Sequence, residues 1–298
     1  MHVTPKEKKM KSIFSCRNAS FFRQGSAAMT LLLLIAATSY SVAQQNPMVA
    51  TRDIPGRTDL VASNEHPLMP VLRWAENGRP EVAKVRDYTA TVTKQENING
   101  DLQQAQVMDI KIRHEPFSVY LKFRYPQNLA GQEAIYVQGA NENKLIAHGV
   151  GLKKTFGTQF LAPEGILAMQ GNKYPITKMG ILNLVDELVM VGRLDVKYGE
   201  CDVRYHKDVE IDKRLCTLIE VTHPIPRTNF RFHKARIFVD NELNMPTRYE
   251  SYDWPKAEGE KPGLIEAYTY QKLKINVGLT DADFDHKNAG YGYRESGK

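Results

Sequence analysis

Between Tyr88 and Thr93 the chain sets Tyr88, Ala90 and Val92 against Thr89, Thr91 and Thr93, the alternation of a half-buried strand. Asn99-Gly100 follows as a two-residue turn suited to positive φ. Val107, Ile110 and Ile112 continue the pattern, then Val119, Leu121 and Phe123 alternate with Tyr120, Lys122 and Arg124. Ala134–Val137 and Lys144–Ala147 predict two more strands around Asn141-Glu142-Asn143. Connections this short cannot cross over between parallel strands, so these segments form an antiparallel meander.

The period changes on either side. From Pro67 to about Val85, Leu68, Val71, Leu72 and Ala75 recur at helical spacing, and Gly78 and Pro80 predict a break into a helix and a second short turn. Thr155 to Tyr174 reads as loop. Beyond it lies the clearest helix, with Ile181, Leu184, Val185, Leu188, Val189 and Gly192 on one face and Asn183, Asp186, Glu187 and Arg193 mostly opposite. Strands resume at Cys201–Lys207, Arg214–Val221, Ala235–Val239, Thr247–Trp254 and Leu264–Leu273. Nothing repeats at a fixed period, which disfavours a propeller or solenoid. The expected fold class is α+β: a strongly curved antiparallel sheet, an incomplete β-barrel, with helices covering its open side.

The N-terminus adds a compartment. A basic stretch precedes the apolar run Ala27–Ala37, and Ser41-Val42-Ala43 supplies small residues for a cleavage site, so residues 1–43 read as a secretory signal peptide. The run is too short to span a bilayer. The expected organisation is a signal peptide at 1–43, a polar linker at 44–64, one half-barrel domain at 65–288 and a polar tail at 289–298. The product is exported, to the periplasm or beyond, with no transmembrane anchor after cleavage. The leader also explains the formal charge of +6: from residue 44 onward 34 basic residues face 33 acidic ones, which argues against a nucleic-acid partner. With 42% hydrophobic and 25% charged residues the chain is neither collagen-like nor wholly disordered.

Export permits disulfides. Cys201 and Cys216 flank the charged stretch Asp208–Lys213, and pairing of their segments as a hairpin would bring the thiols together. A bridge there adds about 3 kcal/mol; the alternative is two buried thiols. No metal-ligand spacing accompanies them. His114-Glu115 offers an acid or base, but no nucleophile motif lies nearby, and GxSxG, HExxH and phosphate-binding loops are absent from the sequence. His223, Arg227, Arg231 and His233 form the richest cationic stretch, stiffened by Pro224 and Pro226 into an anion-binding rim or a solvated strand edge. Asp240, Glu242, Glu250 and Asp253 lack the spacing of a calcium loop. Tyr120, Phe123, Tyr136, Phe232, Phe238, Tyr249, Tyr268 and Tyr270 put bulk on both faces of the sheet, and a helix that underfills its concave side leaves an apolar cavity.

Several separated motifs carry a resemblance. They are His114-Glu115-Pro116-Phe117-Ser118-Val119-Tyr120, Gly131-Gln132-Glu133, His223-Pro224 through Asp240, Arg248-Tyr249-Glu250-Ser251-Tyr252-Asp253-Trp254-Pro255 and Leu279-Thr280-Asp281-Ala282-Asp283-Phe284. Over about residues 65–290 the chain resembles the secreted domain-of-unknown-function 1571 family. In layout it is similar to the LolA/LolB-like periplasmic lipoprotein carriers, which fold as incomplete barrels lidded by helices. That resemblance implies a non-enzymatic carrier or sensor that binds a lipid or a lipoprotein acyl chain without a cofactor. The expected apolar cavity and lid comprise Ile181, Leu184, Val185, Leu188, Phe123 and Phe232, with a head-group rim at His223, Arg227, Arg231 and His233. Two alternatives stand beside it: an envelope protein–protein interaction module with a packed interior, and a hydrolase using His114 and Glu115 or His223.

Overall fold

A computed structural model describes residues 65–293. The expected signal peptide and linker, and residues 294–298, lie outside the described residues. In chain order the elements are α1 (Met69–Ala83), β1 (Asp87–Ile98), β2 (Asp101–Leu102), β3 (Gln106–Arg113), β4 (Ser118–Tyr125), β5 (Glu133–Val137), β6 (Leu145–His148) and β7 (Thr158–Leu161). Then come α2 (Ile166–Met169), α3 (Ile181–Asp195), β8 (Asp202–Ile211), β9 (Arg214–Thr222), β10 (Lys234–Asp240), β11 (Met245–Tyr252) and β12 (Leu264–Ile275).

Register shows why the alternating segments fold together. Tyr88, Ala90 and Val92 of β1 stand opposite Ile112, Ile110 and Met108 of β3, which in turn face Val119, Leu121 and Phe123 of β4. Three cross-strand ladders of large apolar side chains thus share one face, the unit by which sheets are stabilised. The first meander runs outward from β1 to β7, and the second returns from β8 to β12. They join where β12 pairs with β1, giving the order β7-β6-β5-β4-β3-β1-β12-β11-β10-β9-β8, antiparallel throughout, with β2 hanging from β1. The sheet is unclosed, with edges at β7 and β8. Register shifts in β1, β8, β10 and other strands bend it. Its curvature is plain from Phe123 of β4 and Ile219 of β9, distant in strand order, lining one space. The α+β, half-barrel expectation holds.

Both long helices lie on the concave side. α1 is one continuous helix through Gly78 and Pro80, where a break was expected. Proline lacks an N–H and costs about 3 kcal/mol in a helix interior. Burial of Leu72, Gly78 and Val82 on one face outweighs that cost, and Lys84 N–H closes the last turn onto the Pro80 carbonyl at 3.2 Å. α3 crosses α1 closely because residue 192 is glycine: a Cβ there would stand 2.7 Å from Leu72 Cδ2.

Two further differences are local. β7 lies inside the stretch expected to be loop; at four residues, pairing with β6 alone, it is too short to show a period. Residues 289–293, expected in a polar tail, are docked on the convex face. Tyr291 stacks on Tyr120 at 4.2 Å between ring centres, and the Tyr293 hydroxyl donates to the Ile146 carbonyl at 3.2 Å.

Cys201 and Cys216 are not bridged. The hairpin forms as expected, but its turn falls at Asp212-Lys213, both with positive φ, and the register sets Cys216 opposite Val209 while Asp202 faces Thr222. The thiols therefore sit toward opposite ends of the ribbon. Cys201 packs with Leu72 and Val221, and Cys216 with Leu218 and Phe238.

Candidate functional site: a cavity between two cores

A domain of this size ordinarily has one contiguous core. Here the buried apolar residues of the concave side fall into two clusters. One gathers Tyr88, Met108, Ile110, Ile112, Val119, Phe123 and Ile181. The other gathers Leu68, Leu72, Val191, Ile219, Val221, Phe232, Val239 and Tyr249. Between them, under α1 and α3, lies a cavity of about 1150 Å³. Members of both clusters line it, including Val92, Met108, Leu121 and Phe123 from the first and Leu72, Val191, Ile219 and Phe232 from the second. The strand from Leu161 and the irregular segment to Gly180 supply another wall. Exposed residues there, Glu164, Leu167 and Gln170, mark the mouth.

Of the residues expected in the cavity, Leu184, Val185 and Leu188 of α3, Phe123 of β4 and Phe232 before β10 all line it. Ile181 does not. It is fully buried one turn earlier, and its N–H donates to the Tyr88 hydroxyl at 2.9 Å, anchoring the start of α3 to the central strand. The expected cationic rim disperses. Arg231 lines the cavity, paired with Glu187 at 2.6 Å. Arg227 points away and pairs with Glu200. His223 is fully buried, stacked on Phe230 at 3.9 Å between ring centres, and its Nε2 lies 3.5 Å from Asp195 Oδ2. His233 bonds the His223 carbonyl and sits against Trp254. Proline stiffness in this stretch makes a plug for the second cluster, with Phe230 and Phe232 turned inward, rather than a row of exposed cations.

Other charged groups that meet the cavity come from elsewhere. Glu96 of β1 and Glu266 of β12 stand directly opposite each other in the sheet, both buried. Like charges so placed repel. They are held by Lys94 Nζ, 3.1 Å from Glu96, Lys173 Nζ, 2.8 Å from Glu266, and the Tyr268 hydroxyl, which donates to Glu96 at 2.6 Å. Lys94 also donates to Asn172 Oδ1 at 2.6 Å. Burial, then the Glu266 and Glu96 charges, push the Tyr268 phenol far above its ordinary range. Sequence separation hides this group, since its members reach it only through the β1–β12 register.

At the inner end of α3, Asp195 also lines the cavity, and its Oδ2 accepts no hydrogen bond among the described residues. Burial lifts its carboxyl to about 6. The chemistry that sequence raised elsewhere is occupied structurally. Asp240 pairs with Arg214 and accepts from the Glu242 and Leu243 N–H groups; Glu250 pairs with Arg236 and Arg248. His114 packs edge-on against Tyr88, outside the large cavity. Burial pushes the Cys201 thiol up to about 12, so it stays protonated. Among the described residues no group of three or more His, Cys, Asp or Glu is placed to hold a metal ion, and no helix is long and apolar enough to cross a membrane.

Residues 85–293 match the family model described as protein of unknown function, DUF1571. No curated protein matches the chain. Among solved structures, the chain is similar to lipoprotein LppX of Mycobacterium tuberculosis, at 14% identity and TM-score 0.40, covering 73% of this chain and 100% of that one. It is also similar to a LolA superfamily protein of Nitrosomonas europaea, at 11% identity and TM-score 0.30, covering 71% and 97%. A DUF1329 family protein of Desulfovibrio piger aligns at 14% identity and TM-score 0.36, covering 74% and 98%.

Proposed function

The chain belongs to the DUF1571 family, and from its cavity we propose that it is a non-enzymatic carrier or sensor of the cell envelope that holds a lipid or a lipoprotein acyl chain. The observation that carries this reading is the division of the concave core into two clusters around a space of about 1150 Å³. Ligand pockets run to roughly 300–1,000 Å³, and a void this large with apolar walls forfeits packing energy unless something fills it. A hydrocarbon tail suits those walls. At about 0.8 kcal/mol per buried CH₂, a chain of roughly 14 carbons contributes about 11 kcal/mol before ordering costs. Its polar end would be met by Lys173 and Arg231, which line the cavity beside paired acids.

A hollow interior disfavours the alternative of an interaction module with a packed one. The hydrolase alternative finds His223 stacked on Phe230, its Nδ1 engaged with the Phe232 carbonyl. In this reading the signal peptide delivers the chain to the envelope, and Leu184, Val185, Leu188, Phe123 and Phe232 contact the tail.

The test is lipid extraction and mass spectrometry of purified protein, comparing parent with Leu184→Asp and Leu188→Asp. Both leucines are partly exposed to the cavity, so a buried charge there evicts an alkyl chain. The expected result is a co-purifying lipid in the parent that both variants lose. Equal lipid content in parent and variants, or none in either, removes the carrier reading.

A further inference from the structure

Large apolar side chains in solvent concentrate on one short stretch of this fold. Leu152 is 90% exposed, Phe156 69%, Ile166 91% and Leu167 70%. They lie on two very short helical segments, Gly151–Phe156 and α2, either side of the edge strand β7. Large apolar side chains this exposed, gathered on one stretch of chain, mark an interaction surface. Two further observations say of what kind. Between Gly151 and Met169 the sequence places Lys153 and Lys154 against one acid, Glu164, in a chain otherwise close to electroneutral after residue 43. And Leu167 both stands in solvent and lines the large cavity, so the α2 end of this stretch borders the cavity mouth.

We propose that the stretch from Gly151 to Met169 is a docking face for an anionic lipid bilayer, with Leu152, Phe156, Ile166 and Leu167 entering the interfacial region. The apolar side chains project from single turns, and of the four only Leu167 also borders the cavity. Lysines beside protruding Leu, Ile and Phe are the pattern by which proteins settle on membranes, one term apolar and one electrostatic. Docking this way turns the cavity mouth toward the bilayer. The proposal stands whatever the cavity holds.

The experiment is co-sedimentation of the purified exported chain with vesicles of phosphatidylcholine alone and of phosphatidylcholine with phosphatidylglycerol, for the parent, Leu152→Ser, Ile166→Ser and Lys154→Glu. All three positions are exposed, so the variants keep the parent's near-ultraviolet circular dichroism and melting temperature. Expected is binding that favours the anionic vesicles, weakened about tenfold by each serine substitution and weakened selectively on anionic vesicles by Lys154→Glu. The proposal is overturned if the parent binds neither vesicle, or if the serine variants bind as the parent does. It is overturned equally if the parent self-associates in size-exclusion chromatography, loses this with Leu152→Ser or Ile166→Ser, and ignores vesicles. That result assigns the face to a second copy.

Discussion

The hydroxyl of Tyr88, on the central strand β1, accepts the backbone N–H of Ile181 at 2.9 Å, and both residues are fully buried. Helix N-termini leave N–H groups without intrahelical partners, and α3 begins on Gly180, which has no side chain to cap it. The phenol takes that role from across the core. It fixes where α3 enters the concave side, hence where Leu184 and Leu188 stand over the cavity. Gly180 is itself required: its φ is +109°, and a Cβ would meet the Tyr88 hydroxyl at 3.1 Å.

Tyr88→Phe leaves that buried N–H unpaired with little change in shape. It costs about 1–3 kcal/mol. In urea titration the midpoint falls while the slope is unchanged, since the surface exposed on unfolding is the same. An unchanged midpoint shows that the bond does not anchor the helix.

Cys201 and Cys216 are reduced and buried. Burial raises both thiols above their ordinary range, so the reactive thiolate is scarce. Iodoacetamide therefore spares both in the native protein and modifies both after denaturation without reductant. Peptide mass spectrometry reads this directly, and a linked Cys201–Cys216 peptide contradicts the register described above.

Those cysteines also show what the sequence can convey. Alternation and helical spacing are local, so the meanders, the Asn99-Gly100 turn and the amphipathic face of α3 were readable. The cysteine segments do pair as an antiparallel hairpin. Whether the thiols meet depends on where the turn sits, and positive φ at Asp212 and Lys213 moved it to the distal end of a charged run. Pro80 misled in the opposite direction, because the packing of Leu72 and Val82 is a tertiary effect that no propensity contains. The cavity's apolar wall was partly visible, since Leu184, Val185 and Leu188 share a helix face. The Glu96–Glu266 pair was hidden, since its partners are neighbours only after the first and last strands close the middle of the sheet.

Two buried carboxyls set opposite pH trends. At Glu133 burial raises the pKa, but His148, the Gly292 N–H and Lys122 outweigh it and hold the group at about 2 against an ordinary 4.5. Its folded pKa is depressed, so its contribution is complete above about pH 4.5 and is lost as pH falls toward 2. Glu133→Gln removes about 2–3 kcal/mol at neutral pH and flattens the acid limb of the stability curve. Asp195 is the reverse. Its carboxyl is raised from 3.8 to about 6, so folding is penalised as pH rises through that window. Asp195→Asn is accordingly more stable than the parent at pH 7 and equal to it near pH 3. Urea midpoints across pH check both signs, and parallel curves for parent and variants refute them.

Whether the cavity serves a ligand or is merely tolerated is decided by filling it. Ala75 lies on α1 at the cavity wall, so a larger apolar side chain there is directed toward the open space. Overpacking is therefore not incurred, and Ala75→Phe buries new apolar area, keeping or raising the melting temperature. A bound alkyl chain loses the volume the ring takes. Displacing roughly two methylenes at about 0.8 kcal/mol each weakens binding about tenfold. The two readouts thus move apart: stability holds while lipid content falls. If lipid content and stability fall together, the substitution has damaged the fold; if stability rises and lipid content is unchanged, the tail lies elsewhere and the space beside α1 is only a packing defect.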